Sequence, residues 1–367
     1  MCFDIRYNAA IVNRNLTEGL CIGAARAQSL YCLTENGDYG IKSSNLNGGN
    51  MKVLVTGGCG FIASHVVDAY VNEGYEVVIV DNLSTGKMEN KNKRAKFYRV
   101  DICDEEVEKV FKVEKPEIVN HHAAQISVPL SVQEPLLDAE INIKGTLRLL
   151  GLSKDNGIKQ FIFSSTGGAI YGEATKVPTD EEYPPVPASP YAISKFSSER
   201  YIQYYHSQFG LDYTILRYSN VFGPRQIPHG EAGVVAIFTE KLLAGQQPTL
   251  NHFPEERKGM VRDYCYVKDV ARASINASKS KKVGIFNIGT GTGTYTIDLY
   301  TEVIRALRSK GKTIPNRFDK PKRDMARPGD IKVSTLDASK AKKELKWQPK
   351  YDLHEGLVET VDWYINL

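Results

Sequence analysis

No stretch of the 367-residue chain approaches the ~18 to 20 consecutive apolar residues of a membrane span, so no transmembrane helix is expected. The start carries no basic segment followed by an apolar core, which leaves a secretory signal unsupported. A large excess of one charge is also lacking. Against 47 Lys and Arg stand 43 Asp and Glu, a net charge of +4 with no long run of one sign. That gives no case for nucleic acid as a partner. The basic cluster from Lys87 to Lys96 reads as a solvated loop. Cysteine is sparse, and its six copies (Cys2, Cys21, Cys32, Cys59, Cys103 and Cys265) form no C-x-x-C. Neither a redox pair nor a metal site is expected. Free thiols in a chain without a signal fit a reducing cytoplasm. No internal repeat is present.

What remains is ordinary for a globular protein, 42% hydrophobic and 25% charged. Residues 1–50 show no helical or strand period and end in the turn-rich run Ser43 to Asn50. Met51 then opens a segment that reads like a protein start. Residues 1–50 are therefore expected to be an extension or a mis-assigned start, with a regulatory or targeting arm as the alternative. From Met51 on, short apolar strands alternate with helices. Strands are predicted at 52–56, 76–80, 97–100, 118–120, 161–164, 213–218 and 285–288, and helices at 61–72 and 142–154. That alternation implies an α/β fold, a Rossmann-type doubly wound parallel sheet with a smaller α/β lobe. The dinucleotide-binding domain is expected at 51–222, completed by about 263–296. The substrate-binding lobe takes 223–262 and 297–367.

Thr56-Gly57-Gly58-Cys59-Gly60-Phe61-Ile62-Ala63 joins the first strand of this unit to the first helix. Gly58-x-Gly60-x-x-Ala63 fits the G-x-G-x-x-G/A fingerprint, whose glycines let backbone approach a pyrophosphate on a helix N-terminus. Asp81 closes the next strand about 20 residues on, where the ribose partner is expected. A carboxylate there accepts from a 2′-hydroxyl and repels a 2′-phosphate, favouring NAD over NADP. Ser189-Pro190-Tyr191-Ala192-Ile193-Ser194-Lys195 opens a helix with Ser189 as N-cap and Gly210 as its end. Tyr191 and Lys195 share one face. An ammonium beside the phenol, together with a positive nicotinamide, favours the phenolate and makes it a usable base. In isolation, Tyr-x-x-x-Lys is as well read as an amphipathic helix. The strand Phe161 to Ser164 breaks into Ser165-Thr166-Gly167-Gly168. Ligands bind beyond the carboxyl ends of parallel strands, so Thr166 or Ser165 is placed to meet a substrate oxygen.

Together these residues resemble the extended short-chain dehydrogenase/reductase family, and within it the UDP-glucose 4-epimerase group. Supporting segments run in order: Asp81-Asn82-Leu83-Ser84-Thr85-Gly86, Asp101-Ile102, His122-Ala123-Ala124-Gln125, Asn142-Ile143-Lys144-Gly145-Thr146, Arg217 to Gln226, Val261-Arg262-Asp263-Tyr264, Phe286 to Gly291, and Arg327-Pro328-Gly329-Asp330. The resemblance implies an NAD site lined by Gly57, Gly60, Phe61, Ile62, Asp81, Asn82, Ser84, Thr85, Gly86, Asp101, Ile102, Ala123, Ala124, Gln125 and Asn142. It implies that Asn220, Arg262, Arg327 and Asp330 face the diphosphate of a UDP-hexose, that Tyr191, Lys195, Thr166 and Ser165 serve catalysis, and that the protein is a homodimer. Dehydratases and decarboxylases of the family carry acids directly after the catalytic Thr, where this chain has Gly167 and Gly168. Glu173 is the acid that could replace them. Other departures are His122 in an apolar position, read as packing, the 251–260 segment, Lys268 in place of an acid, and Arg225, read as a solvated surface residue. A non-catalytic NAD-binding protein is the reading from another class. Intact Tyr191, Lys195 and Thr166 count against it.

Overall fold

The computed structural model describes residues 51–228, 233–327 and 329–367, preceded by two short strands. Those strands, β1 (Tyr31–Leu33) and β2 (Tyr39–Ile41), pair antiparallel. They belong to a separate unit from residues 50–367. The rest of the expected extension lies outside the described residues.

In the main unit, β3 (Lys52–Thr56) is apolar on both faces, and Val53, Leu54 and Val55 are all fully buried. Each such side chain contributes about 1.5–3 kcal/mol on burial. The strands that follow are β4 (Glu76–Val80), β5 (Lys96–Tyr98), β6 (Ile118–His121), β7 (Gln160–Thr166), β8 (Tyr213–Tyr218), β9 (Asn220–Phe222), β10 (Thr249–His252), β11 (Val261–Tyr266) and β12 (Gly284–Ile288). Seven of them make one parallel sheet in the order β12-β8-β7-β6-β3-β4-β5. Separate apolar clusters cover its two faces, one around Val55, Val67 and Ile162, the other around Leu54, Phe111 and Phe161. This is the doubly wound fold that the alternation implied.

The remaining strands lie off that sheet. β9 pairs with β11, which also lies between β13 (Gly293–Tyr295) and β15 (Val333–Ser334). β10 pairs with β14 (Lys322–Met325). Helices Val234–Leu243, Thr296–Ser309 and Leu353–Ile365 pack there on a third cluster around Phe238, Tyr264 and Tyr300.

Two helices matter for the site. Helix Phe61–Asn72 starts directly at the glycine loop and buries Val66, Val67 and Tyr70. The helix predicted at 142–154 is present and starts earlier, running from Pro135–Ala139 through a π-turn at Glu140–Lys144 into Gly145–Asp155. The Asn142 side chain sits in that turn. It accepts from the Gln125 backbone N–H and donates to the Gln125 carbonyl, both at 3.0 Å. Gly145 allows the close approach that results, since a Cβ there would lie 2.7 Å from Ile102. Single π-turns of this kind mark functional sites.

Candidate active site

The strand order reverses between β3 and β6, and a crevice opens at their carboxyl ends. Gly57 follows β3 with φ +68°, and a Cβ on it would lie 2.9 Å from Ala123 N in the loop after β6. That loop is pinned to β3, because Thr56 Oγ1 accepts from His122 N and Ala123 N, each at 3.1 Å. Gly60 caps helix Phe61–Asn72 without any side-chain hydrogen bond. Its first N–H groups are therefore not capped by a side chain, as an anion site requires. Asp81 is buried at the end of β4. Its two oxygens accept from Cys59 N at 2.9 Å and Leu83 N at 2.8 Å. It thus holds the glycine loop as well as facing the cleft, and each oxygen keeps lone-pair capacity for a ribose hydroxyl.

The cleft measures about 660 Å³ and runs from Asp81 and Asp101 at one end to Thr166, Tyr191, Lys195 and Asn220 at the other. Helix Pro190–Phe209 starts as predicted: Ser189 accepts from Ala192 N at 3.2 Å, Pro190 is the first residue, and Gly210 ends it in the left-handed region. Lys195 is buried, and its Nζ donates to the Ser164 carbonyl at 3.0 Å. Burial pulls its pKa down to about 8, against the opposing pull of Asp138 and Glu199. Burial, with Asp138 second, pushes the Tyr191 phenol up rather than down. The expected activation by Lys195 is therefore not expressed by the protein alone.

The Ser165 hydroxyl donates to Glu199 Oε1 at 2.6 Å, in a buried network where Glu199 also takes two bonds from Arg217, at 2.9 and 2.6 Å. Arg217 in turn donates to the Tyr171 hydroxyl at 2.8 Å. Ser165 thus braces β7 while it still lines the cleft beside Thr166.

Of the residues expected at the cofactor, Gly57, Gly60, Phe61, Ile62, Asp81, Asn82, Ser84, Thr85, Asp101, Ile102, Ala123, Ala124 and Gln125 line the cleft. Gly86 and Asn142 do not. Gly86 packs on Asp81, and Asn142 acts through the Gln125 backbone. Of the diphosphate candidates only Asn220 lines the cleft. Arg262 donates to the carbonyls of Val261, at 2.9 Å, and Lys332, at 3.5 Å. The Arg327 N–H donates to Asp330.

Two residues read as bland from the sequence also line the cleft. Arg225 is no solvated surface residue, since it pairs with Asp68 at 2.8 Å with its own side chain 26% exposed. His122 packs as expected, its ring stacked on Tyr218 at 6.1 Å and hydrogen bonded to the Tyr218 hydroxyl at 3.2 Å. Burial pulls it down to about 3, so it is a neutral ring and no acid. Lys268 pairs with Glu359 at 2.5 Å on the surface. Tyr218 also lines the cleft; it lies in the Arg217 to Gln226 segment, where the sequence assigns it no role.

The parallel sheet, the glycine turn and a Tyr-x-x-x-Lys helix opposite it define a dinucleotide-binding protein of the short-chain dehydrogenase type. More particularly, the chain belongs to the NAD dependent epimerase/dehydratase family, whose model matches residues 53–289. It is 40% identical over 322 residues to a UDP-glucose 4-epimerase of Mycolicibacterium smegmatis, covering 86% of this chain and 99% of that protein. A UDP-glucose 4-epimerase of Thermotoga maritima, solved with UDP-glucose, matches with a TM-score of 0.78 and 49% identity over 86% of this chain and 99% of that one. The UDP-glucose 4-epimerase of Thermus thermophilus, solved with NAD, matches with a TM-score of 0.77 and 46% identity over the same shares, 86% and 99%. The protein is an NAD-dependent epimerase-family enzyme, and its cleft suits that cofactor. Bare backbone at Gly57 and Gly60 leaves room for a pyrophosphate, and Asp81 stands where a ribose hydroxyl needs an acceptor. No described helix is long and apolar enough to cross a membrane.

Proposed function

We propose that the protein is a UDP-glucose 4-epimerase, interconverting UDP-galactose and UDP-glucose through a transient 4-keto sugar. The observation that carries the reading is where the acids of the cleft lie. Among the described residues lining it, the only carboxylates are Asp81 and Asp101. Both sit at the far end, roughly 14 Å or more from Thr166 across at least three strand spacings. Elimination of water needs a further acid and base beside the sugar, and among the described lining residues the reacting end offers no carboxylate for it. A Cβ at Gly167 would lie 2.5 Å from a Leu336 methyl, so a side chain there requires Leu336 to move. Glu173, the acid that could have substituted, accepts from Lys332 N at 2.9 Å and from Val333 N at 3.4 Å. What remains suits oxidation and return.

Bound NAD supplies the hydride acceptor and donor at carbon 4. Tyr191 takes the proton from the 4-hydroxyl and gives it back on the return step. Thr166 hydrogen-bonds the same oxygen as its charge develops. Lys195, fixed by the Ser164 carbonyl, holds positive charge behind Tyr191. Asn220, Arg262, Arg327 and Asp330 are assigned to the diphosphate end, where a guanidinium fork matches phosphate. Gly86 and Asn142 shape the cofactor site through Asp81 and Gln125. The division into a dinucleotide domain and a substrate lobe at the boundaries given above belongs to this reading, as do galactose metabolism, a cytoplasmic setting and a homodimer. Exposed Ile193, Tyr201, Tyr204 and Phe209 on helix Pro190–Phe209 support the last.

The test is Tyr191→Phe. Turnover of UDP-galactose is expected to fall about 100- to 10,000-fold while NAD binding survives. Undiminished turnover would remove Tyr191 from the mechanism.

A further inference from the structure

Asp138 has no part in the chemistry above, yet it is fully buried behind the catalytic helix. Its Oδ1 accepts from Gln125 Nε2 at 2.8 Å and from Asn142 Nδ2 at 2.9 Å. Its Oδ2 accepts from the Ser194 hydroxyl. These three donors come from three different elements: the cofactor loop after β6, the π-turn, and the helix that carries Tyr191 and Lys195. Ser194 lies next to Lys195 and three residues beyond Tyr191, on the same side of the helix. An acid enclosed in this way is costly unless its hydrogen bonds are complete. Three donors held in place make a fixed negative charge at a set position.

We infer that Asp138 is a positioning residue, whose carboxylate ties the cofactor loop to the catalytic helix and sets a negative charge behind the turn that carries Tyr191 and Lys195. The inference rests on the reading of Tyr191 as the proton acceptor. A second negative charge close to a buried anion is disfavoured, so Asp138 opposes the phenolate and supports the Lys195 ammonium. The directions at both groups agree, since Asp138 raises Tyr191 and raises Lys195 against its burial.

The other charges around Tyr191 do not replace this role. Lys195 and Glu199 follow on its own helix, and Glu199 is matched by Arg217. From β6, burial keeps His121 and His122 neutral. From β8, burial pushes the Tyr218 phenol up. On the π-turn, Glu140 and Lys144 pair with each other at 2.6 Å, both well exposed. Glu134, Arg148, Lys154 and Asp155 on the neighbouring helices are exposed, as is Arg200 on the catalytic helix itself.

The test is the ultraviolet titration of tyrosinate in the NAD-loaded protein, read as the difference from Tyr191→Phe in the same background. Asp138→Asn keeps the size and the Oδ1 acceptor and removes the charge. It is expected to move the Tyr191 midpoint down by about one pH unit. Ser194→Ala keeps the charge and removes one compensating donor, so it is expected to move the midpoint up. Movement in these directions supports the inference even where epimerase activity is unknown. A midpoint unmoved in whichever of the two variants folds makes Asp138 structural only and overturns it. A failure of the Tyr191→Phe turnover test would instead strike the reading of Tyr191, and the two failures are read separately.

Discussion

Lys195 Nζ donates to the Ser164 carbonyl at 3.0 Å and lies 4.8 Å from the centre of the Phe163 ring. The catalytic lysine is therefore anchored to the strand that carries Thr166, and the two sides of the reacting end move as one.

Burial lowers Lys195 to about 8, well below the ~10.4 of an unfolded lysine. Between those values the unfolded chain binds more protons, so this group's contribution to stability rises with pH over that window and is absent below it. Function runs the other way. Above about pH 8 the lysine loses the charge that supports Tyr191, and kcat/KM is expected to fall along an alkaline limb. In Lys195→Arg, whose guanidinium stays protonated, the limb is expected to vanish at reduced overall activity. An unchanged limb in that variant would assign it to another group.

Glu199 and Arg217 form a buried, doubly bonded ion pair, with side chains 1% and 2% exposed. Glu199→Gln leaves an uncompensated guanidinium and is expected to cost about 3–5 kcal/mol. Denaturant unfolding measures this. A loss under about 1 kcal/mol, the size of an ordinary hydrogen bond, would show that the network is not the brace described here.

Asp81 both faces the ribose end and holds Cys59 N and Leu83 N. Asp81→Ser is therefore expected to weaken NAD binding at least about tenfold, as loss of a charged hydrogen bond implies, without creating a good NADP site, because the glycine loop loses its anchor. Calorimetric titration of cofactor-stripped protein with both nucleotides decides. Tight NADP binding would mean that Asp81 acts by repulsion alone.

The parallel sheet was legible because β3, β4 and β8 are short apolar runs that nothing but a two-sided burial explains. The fingerprint and the Tyr191/Lys195 pair were legible because their chemistry depends on local spacing. Roles that the sequence did not show rest on contacts distant in sequence. Asn142 reaches the cofactor loop through the Gln125 backbone, 17 residues away. Ser165 also bonds Glu199, which Arg217 holds from another element. Arg225 lines the cleft because helix Phe61–Asn72 presents Asp68. Asp138 is invisible in the sequence for the same reason, since its three donors lie between 4 and 56 residues away.

The central claim is an oxidation that is returned within one cleft. The most direct measurement incubates the purified protein with UDP-galactose and no added reductant, following UDP-glucose by chromatography and NADH by absorbance. Conversion to an equilibrium mixture with no net NADH is the predicted result. Accumulation of a 4-keto product, or no conversion with NAD⁺ supplied, would contradict it.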